Sequence, residues 1–549
     1  MRTVRDATLQ VARDLGLTTW FGNPGSTEIP LLADLPDGIR YLLALHENAA
    51  VGMAAGQAIA TGRPALVSLH AAAGLGNAVN ALVSARVNRA PLVVLIGQQD
   101  RRHIAFEPFL TGRLAGLAGD YPVAVHLPLR AQDVPGAVAR AYHEALTWSG
   151  PALVIVPMDD WSAVMDETQI AAPAVCRYAT GVTAADVAPF ALLLDGARLP
   201  VLVVGAGAAD RAAWDALVQL AGRLNCPVWQ EPFTGRAGFP QDHHRFAGFL
   251  PAGRAALRDT LAGHDAVLVV GAGVLRQYHY EPGPLFAAGT AVAVITADPA
   301  EAHRSPARLA LIASPAAACA LLARAVTPHG SGSVPPRDRP AGGRLPRDRR
   351  QPGGAPGGGL RSADVLAALA SRIDPDTIVV EECPSSRELL QETLPARDPL
   401  GYLGAPGGNL GSALPEAIGL RLADPARPVL AVLGDGSALY GVQALWSAAH
   451  YGVGVLFIVL ANARYAVMDQ LASGKGKHPG RDSPKCTWPA WPTASAARRS
   501  ASRPWRRWRK YSTGSSRRCA PAASRCWWKR TSAPMGSRGD DRPCRAGGR

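Results

Sequence analysis

Long hydrophobic runs are missing from this chain of 549 residues. Segments such as PLVVLIG and VLFIVLA have the length of a buried strand, far short of the roughly 18 apolar residues of a membrane helix. The opening MRTVRDATLQVARDLGL has no apolar leader core or cleavage site, and it spaces Val4, Ala7, Val11 and Leu15 at helical intervals. A cytoplasmic protein is expected. Paired cysteines are missing too: Cys176, Cys226, Cys319 and Cys383 stand singly, as in a reducing compartment. Cys486, Cys519, Cys526 and Cys544 match no zinc-binding spacing. The sharpest absence is local. Residues 473–549 contain no Leu, Ile or Val, yet hold six of the twelve Trp and 20 Lys/Arg against three Asp. Without aliphatic side chains this tail cannot bury enough apolar area to offset its ordering entropy, so it is expected to be disordered. Its net charge exceeds the +14 of the whole chain, so everything before it is slightly acidic. That removes the charge argument for nucleic acid or an anionic membrane as partner.

What is present is 48% hydrophobic and long enough for about three domains at ~150 residues each. Over residues 1–170, apolar strands are expected at Thr18–Phe21, Tyr41–Leu45, Ala65–Leu69, Leu92–Ile96 and Ala152–Pro157. Helical stretches such as NAAVGMAAGQAIAT and GNAVNALVSARVN separate them, and that alternation argues for a parallel sheet. Residues 185–325 repeat the style with PVLVVGAG, DAVLVVGAG and TAVAVITAD, and residues 360–472 with DTIVVEE, VLAVLGDG and VLFIVLAN. Residues 328–359, rich in Pro, Gly and Arg, read as a flexible linker. The expected fold class is α/β: three doubly wound parallel-sheet domains and a disordered, frameshift-like C-terminal tail. The turns GAGAAD (205–210) and GAGV (271–274) do not complete G-x-G-x-x-G. They are read as strand–helix turns of a Rossmann-like middle domain.

The chemistry concentrates in RPVLAVLGDGSALYGVQALWSAAHYGVGVLFIVLANARY, residues 427–465. Gly434-Asp435-Gly436-Ser437 follows one strand, and Ala461-Asn462-Ala463-Arg464 follows the next. Glycines allow backbone to approach phosphate oxygens, and Asp435 and Asn462 are hard oxygen ligands suited to magnesium. Parallel strands carry both to the same sheet edge. Near the other end, Glu47 follows the apolar strand YLLAL and opens a helix of small residues. Its plain reading is helix-start charge, worth a few tenths of a kcal/mol to about one. Ser26 reads equally as a turn residue and His70 as a core histidine.

Together these segments resemble the thiamine-diphosphate-dependent 2-oxo acid decarboxylase family. The matching stretches are FGNPGSTEIPLL (21–32), LALHENAAVGMAAGQA (43–58), SLHAAAGLGNAVNAL (68–82), GQQDRR (97–102), LVIVPMDDW (153–161) and SALPEAIG (412–419), besides the GDG motif. The likeness spans roughly 1–325 and 361–471, with Ala461 in place of the first Asn of the family's Asn pair. The resemblance implies thiamine diphosphate and Mg2+ as cofactors. It makes Glu47 the carboxyl group that bonds the aminopyrimidine ring, where an apolar setting raises the carboxyl pKa. Ser26 would contact the substrate carboxylate and His70 would move protons at the carbonyl carbon. A second histidine, His279 in Arg276-Gln277-Tyr278-His279-Tyr280, sits one position later than in the family. Gly408 and Leu410 would hold the bent cofactor, and Gly434, Asp435, Gly436, Ser437 and Asn462 its diphosphate end. Asp435, Asn462 and the Arg464 carbonyl would ligate the metal. Phe109, Leu110, Val467, Met468 and Leu471 fall where the family builds its substrate pocket, although the last three serve equally as core. An apolar pocket favours an aromatic 2-oxo acid over pyruvate by ~1–3 kcal/mol per misfit methylene. The implied reaction takes benzoylformate to benzaldehyde and carbon dioxide, in a homodimer or homotetramer with the site across the dimer interface. Three alternatives stay open. They are a carboligase like acetolactate synthase, an inactive product of a frame shift near residues 470–485, and a nucleic-acid or membrane binder acting through RPWRRWRK (503–510).

Overall fold

A computed structural model describes residues 1–165, 174, 176, 181–330, 360–462 and 465–472. The linker from residue 331, Arg464 and the basic tail lie outside these residues, and so do the expectations placed on them.

The first sheet contains β1 (Thr19–Asn23), β2 (Arg40–Leu43), β3 (Ala65–Leu69), β4 (Leu92–Gln98), β5 (Ala124–His126) and β6 (Pro151–Pro157), in spatial order β2-β1-β3-β4-β6-β5. Every neighbouring pair is parallel. β3, β4 and β6 are buried along their whole length. That is why they read as unbroken apolar runs rather than as alternating ones. The three-residue edge strand β5 was not anticipated; it is half-exposed and too short to show a period. The opening helix Val4–Asp14 buries Val4, Ala7 and Val11 against this sheet's core and is started by a Thr3–Asp6 capping box.

The second sheet contains β7 (Pro200–Val204), β8 (Val228–Gln230), β9 (Phe246–Phe249), β10 (Ala266–Val270), β11 (Ala291–Thr296) and β12 (Leu309–Ile312), in order β12-β11-β10-β7-β8-β9. Its neighbours are again parallel, and the order is that of a Rossmann-like sheet. The third contains β13 (Ile378–Glu382), β14 (Tyr402–Leu403), β15 (Val429–Gly434) and β16 (Leu456–Leu460), in order β14-β13-β15-β16, all parallel. The three sheets bear out the expected fold class. One element departs from expectation. The apolar run VLFIVLA predicts a buried strand, but β16 is the sheet edge, with Leu456 51% exposed and the other four residues half-buried. Its outer side pairs with no strand among the described residues.

Two helices join the first and third sheets. Helix Glu47–Thr61 packs on helix Ala413–Ala423 backbone to backbone. A Cβ on Gly52, Gly56 or Gly419 would fall inside 3.0 Å of Pro415, Glu416 or Met53 respectively. The small-residue pattern of the Glu47 helix therefore reflects close helix approach. Nearby, the Leu43 N–H donates to the Tyr451 hydroxyl at 2.7 Å.

Candidate active site

In a doubly wound sheet, the crevice opens where the strand order reverses. In the first sheet that point lies between β1 and β3, whose last residues Asn23 and Leu69 are register partners. The chain leaves β1 through Pro24, Gly25 and Ser26, and leaves β3 directly into His70, so the two candidates follow neighbouring strand ends, with Gly25 against the His70 ring. Ser26 is exposed on its turn and His70 is half-buried. Glu47 follows β2 at the same edge and is buried at the N-terminus of its helix. Its surroundings are polar rather than apolar. Asn23 Nδ2 donates to one carboxylate oxygen and Asn77 Nδ2 to the other, each at 3.0 Å. Neither asparagine is singled out by the sequence, because a lone amide at a strand end (Asn23) or within a helix (Asn77) has no spacing signature.

His70 is also held. Its Nδ1 lies 2.9 Å from the Thr27 hydroxyl and 3.1 Å from Glu28 Oε2. Thr27 and Glu28 are both buried and bonded to each other. The loop bearing Phe109 and Leu110 is anchored beside this edge. Gln98 at the end of β4 donates to the Gly112 carbonyl at 2.6 Å, and Gly112 packs against Ala72, two residues beyond His70. Leu110 has φ +70°, an uncommon conformation for a bulky residue, and Phe109 is 88% exposed.

The third sheet repeats the arrangement. Its order reverses between β13 and β15, where Glu382 pairs with Leu433 and, one strand on, Gly434 pairs with Leu460. Asp435, buried, follows Gly434 directly; Asn462, exposed, lies two residues past Leu460 at the same edge. Ser437 is buried next to Gly434. Glu382 is an unanticipated member of this edge. Its carboxylate accepts the N–H groups of Gly411, Ser412 and Ala413 at 2.7, 3.0 and 2.8 Å, fixing the turn that carries Gly408 and Leu410. Burial pushes its pKa up to about 7 in spite of those donors. The turn is tied to the first domain as well: Asn80 donates to the Leu410 carbonyl at 3.0 Å and Asn48 to that of Gly411 at 3.1 Å.

A bound diphosphate would find room here. A Cβ on Gly408, which has φ +71°, or on Gly436 would meet no atom within 4 Å. Among the described residues no cluster of three His, Cys, Asp or Glu could hold a metal alone. A magnesium ion held by Asp435 and Asn462 therefore needs diphosphate oxygens to complete its shell. The donor set and the open space fit Mg-thiamine diphosphate.

At the middle sheet the glycine turns are closed against each other. Its reversal point lies between β7 and β10, where the two GAG turns meet: the Gly207 N–H donates to the Gly271 carbonyl at 2.7 Å. His279 lies exposed on a loop of this domain with Tyr278 against its ring. The structure brings it into no contact with Glu47, Ser26 or His70. Val467 and Leu471 are half-buried and Met468 is 37% exposed on the short helix Ala466–Leu471, which packs beside the turn Pro384–Ser386.

Family models match all three domains. They are the thiamine pyrophosphate enzyme N-terminal TPP binding domain over residues 2–115, the central domain over 187–322 and the C-terminal TPP binding domain over 386–497. The chain belongs to the thiamine pyrophosphate enzyme family. The third match runs past Leu471, further than the sequence pattern alone placed the end of the likeness. The chain is 41% identical to benzoylformate decarboxylase of Pseudomonas aeruginosa over 475 residues, 85% of this chain and 87% of that one. It is 26% identical to the acetolactate synthase large subunit of Haemophilus influenzae, covering 83% and 81%. Among solved structures, the 4-hydroxybenzoylformate decarboxylase of Rhodococcus jostii superposes with TM-score 0.81 at 38% identity, over 87% of this chain and 90% of that one. The benzoylformate decarboxylase of Polynucleobacter necessarius gives the same TM-score at 32% identity and the same coverage. The protein is a carboxy-lyase acting on a 2-oxo acid, with thiamine diphosphate and Mg2+ as its cofactors. No helix among the described residues is long and apolar enough to cross a membrane.

Proposed function

We propose that the substrate is an aromatic 2-oxo acid, benzoylformate, released as benzaldehyde and carbon dioxide. One observation carries the substrate class: the Gln98–Gly112 tie sets an apolar loop with Phe109 and Leu110 beside the His70 edge. The greater identity to a benzoylformate decarboxylase than to an acetolactate synthase points the same way. Bound thiamine diphosphate supplies a nucleophilic carbon for the keto group and an electron sink for the departing carbon dioxide.

The chain's own residues do the rest. Asp435 and Asn462, with the Arg464 carbonyl, hold Mg2+, and Ser437 and the backbone of Gly434 and Gly436 receive the diphosphate. Gly408 and Leu410 shape the aminopyrimidine site on the turn that Glu382 fixes. Glu47 presents its carboxyl group to that ring. Asn23 and Asn77 occupy two of its roughly four lone-pair sites and so orient it without exhausting it. Ser26, exposed at the β1 end, binds the substrate carboxylate by its hydroxyl. His70 holds and delivers a proton at the former carbonyl carbon, and His279 acts as a second proton carrier from the middle domain. Val467, Met468 and Leu471 complete the apolar wall. We further infer a cytoplasmic homodimer or homotetramer with the site at the dimer interface. The strong exposure of Phe109 in a single chain agrees with an apolar wall completed by a second copy.

The test is carbon dioxide release by the full chain with thiamine diphosphate and Mg2+, comparing benzoylformate, phenylpyruvate and pyruvate. The expected result is at least tenfold greater kcat/KM for benzoylformate than for pyruvate. Acetolactate formed from pyruvate at a comparable rate would instead make the protein a carboligase.

A further inference from the structure

His70 emerges from β3 into a pocket that the chain has shaped around a second, unassigned carboxylate. Glu28 is 3% exposed. Its Oε2 lies 3.1 Å from His70 Nδ1 and accepts the Gly25 N–H at 2.8 Å, while its Oε1 is bonded to the Thr27 hydroxyl. Thr27 in turn lies 2.9 Å from the same Nδ1. Two glycines make this possible by lacking a side chain. A Cβ on Gly25 would fall inside 3.0 Å of the His70 ring, and one on Gly97 inside 3.0 Å of both the Glu28 carboxylate and the Thr27 hydroxyl. Neither glycine has a positive φ, so backbone freedom does not explain them. Space for the imidazole–carboxylate pair does.

We propose that Glu28 is the positioning residue of His70: it accepts a hydrogen bond from the Nδ1–H, fixes the ring's tautomer and plane, and leaves Nε2 to work at the substrate. A carboxylate on one ring nitrogen sets the identity of the other and stabilises the imidazolium that forms when the ring takes up a proton. Glu28 acts through His70 without touching substrate. The inference rests on the role given to His70 above. Other ionisable groups face the pair from two sides. Tyr41 on β2 has its hydroxyl 3.1 Å from Ser68 and feels the Glu28 charge; Glu47 meets His70 across Gly74. From β4 the neighbour is the uncharged Gly97.

The test uses the full chain and Glu28→Gln, with Glu28→Asp as a second variant that keeps the charge but withdraws it by one methylene. Diethyl pyrocarbonate reacts only with neutral imidazole, so peptide mass spectrometry across a pH series gives the protonation midpoint of His70 itself, with or without turnover. Glu28→Gln is expected to lower that midpoint, because an opposite charge at hydrogen-bond distance is lost. Glu28→Asp is expected to lower it less, and decides the matter should Glu28→Gln not fold. In decarboxylation, kcat of Glu28→Gln should fall about 10- to 100-fold with KM changed less than about twofold. An unchanged His70 midpoint overturns the proposal whatever happens to the rate. A shifted midpoint with unchanged kcat overturns its catalytic relevance. A shifted midpoint in a protein whose parent form decarboxylates no 2-oxo acid leaves the pairing standing and overturns the functional reading instead.

Discussion

Replacing Gly419 with Ala tests whether the helix contact between the first and third domains depends on backbone-to-backbone approach. In an isolated helix the change would stabilise by about 0.5–1 kcal/mol, since Ala gives up less backbone freedom on folding. Here the new methyl carbon would fall inside 3.0 Å of the Met53 carbonyl oxygen, its carbonyl carbon and the Gln57 nitrogen, where ordinary contact begins at 3.4 Å. All three are backbone atoms, so no side-chain rotation relieves the overlap and the helices must part. Overpacking of this kind costs about 1–3 kcal/mol, and the gap forfeits dispersion contacts where Gly52 meets Pro415 and Gly56 meets Glu416. The net expectation is a loss of about 1–2 kcal/mol, or a Tm lowered by about 2–8 °C on the scale of a 150–250-residue domain. Parting the helices also strains the Asn48 and Asn80 bonds that tie the Gly408–Ser412 turn to the first domain, so thiamine diphosphate should bind more weakly. Gly222, exposed near the end of helix Arg211–Arg223 with no atom within 4 Å of a Cβ, is the control. Its replacement by Ala should leave Tm unchanged or raise it slightly. A Gly419→Ala protein as stable as the parent in a calorimetric scan would refute the packing argument.

Other perturbations separate the parts of the site. Glu47→Ala should lower kcat by about 10²-fold or more while cofactor binding, followed by fluorescence quenching, changes little; a loss confined to KM would remove Glu47 from the chemistry. Exhaustive chelation should abolish turnover and readdition of Mg2+ with thiamine diphosphate restore it, whereas Asp435→Ala should need far higher Mg2+; equal Mg2+ dependence in both proteins argues against Asp435 as ligand. Burial pushes Glu416 and Glu231 up to about 8 and Glu382 up to about 7. Because the folded state favours their protonated forms, stability is fully present near pH 4.5 and lost as pH rises toward 8. Glu416→Gln keeps an acceptor for Asn88, so its Tm should fall less steeply than the parent's over that window; parallel profiles would count against the buried acid. Finally, a frame shift near residues 470–485 predicts that resequencing finds an altered frame there, and an uninterrupted frame through residue 549 ends that explanation.

Much of the fold was legible because parallel strands buried on both faces leave continuous apolar runs, as in β3, β4, β6 and β15. The missed strand β5 and the misjudged burial of β16 fail for the complementary reason. An edge is defined by what lies beside it, and a strand's own residues do not report their neighbours. The site divides along the same line. Asp435 and Asn462 were legible because their spacing spans one strand–helix–strand unit. Glu28, Asn23, Asn77 and Glu382 were not, because each acts on a residue from another element: Glu28 on His70 across two strands, Glu382 on a turn some thirty residues away. A partner set by topology leaves no local spacing to find.

The glycine turns show what distinguishes a binding loop from a packing one when both look alike in sequence. GAG at 205–207 and at 271–273 sits at the reversal point of its sheet, as GDG at 434–436 does. Yet a Cβ on Gly207 or Gly271 would fall inside 3.0 Å of the facing turn's backbone, whereas one on Gly408 or Gly436 would meet nothing within 4 Å. The middle-domain glycines are spent on letting two turns touch. Those at the third-domain edge face open space: Gly408 is held at φ +71° in its turn and Gly436 opens the helix after β15, so this edge leaves room close to the backbone that the middle-domain turns fill themselves. With a buried aspartate and an amide on the same rim, that room suits an anion close to the backbone and bridged by a hard cation. That description is met by a magnesium-bound diphosphate.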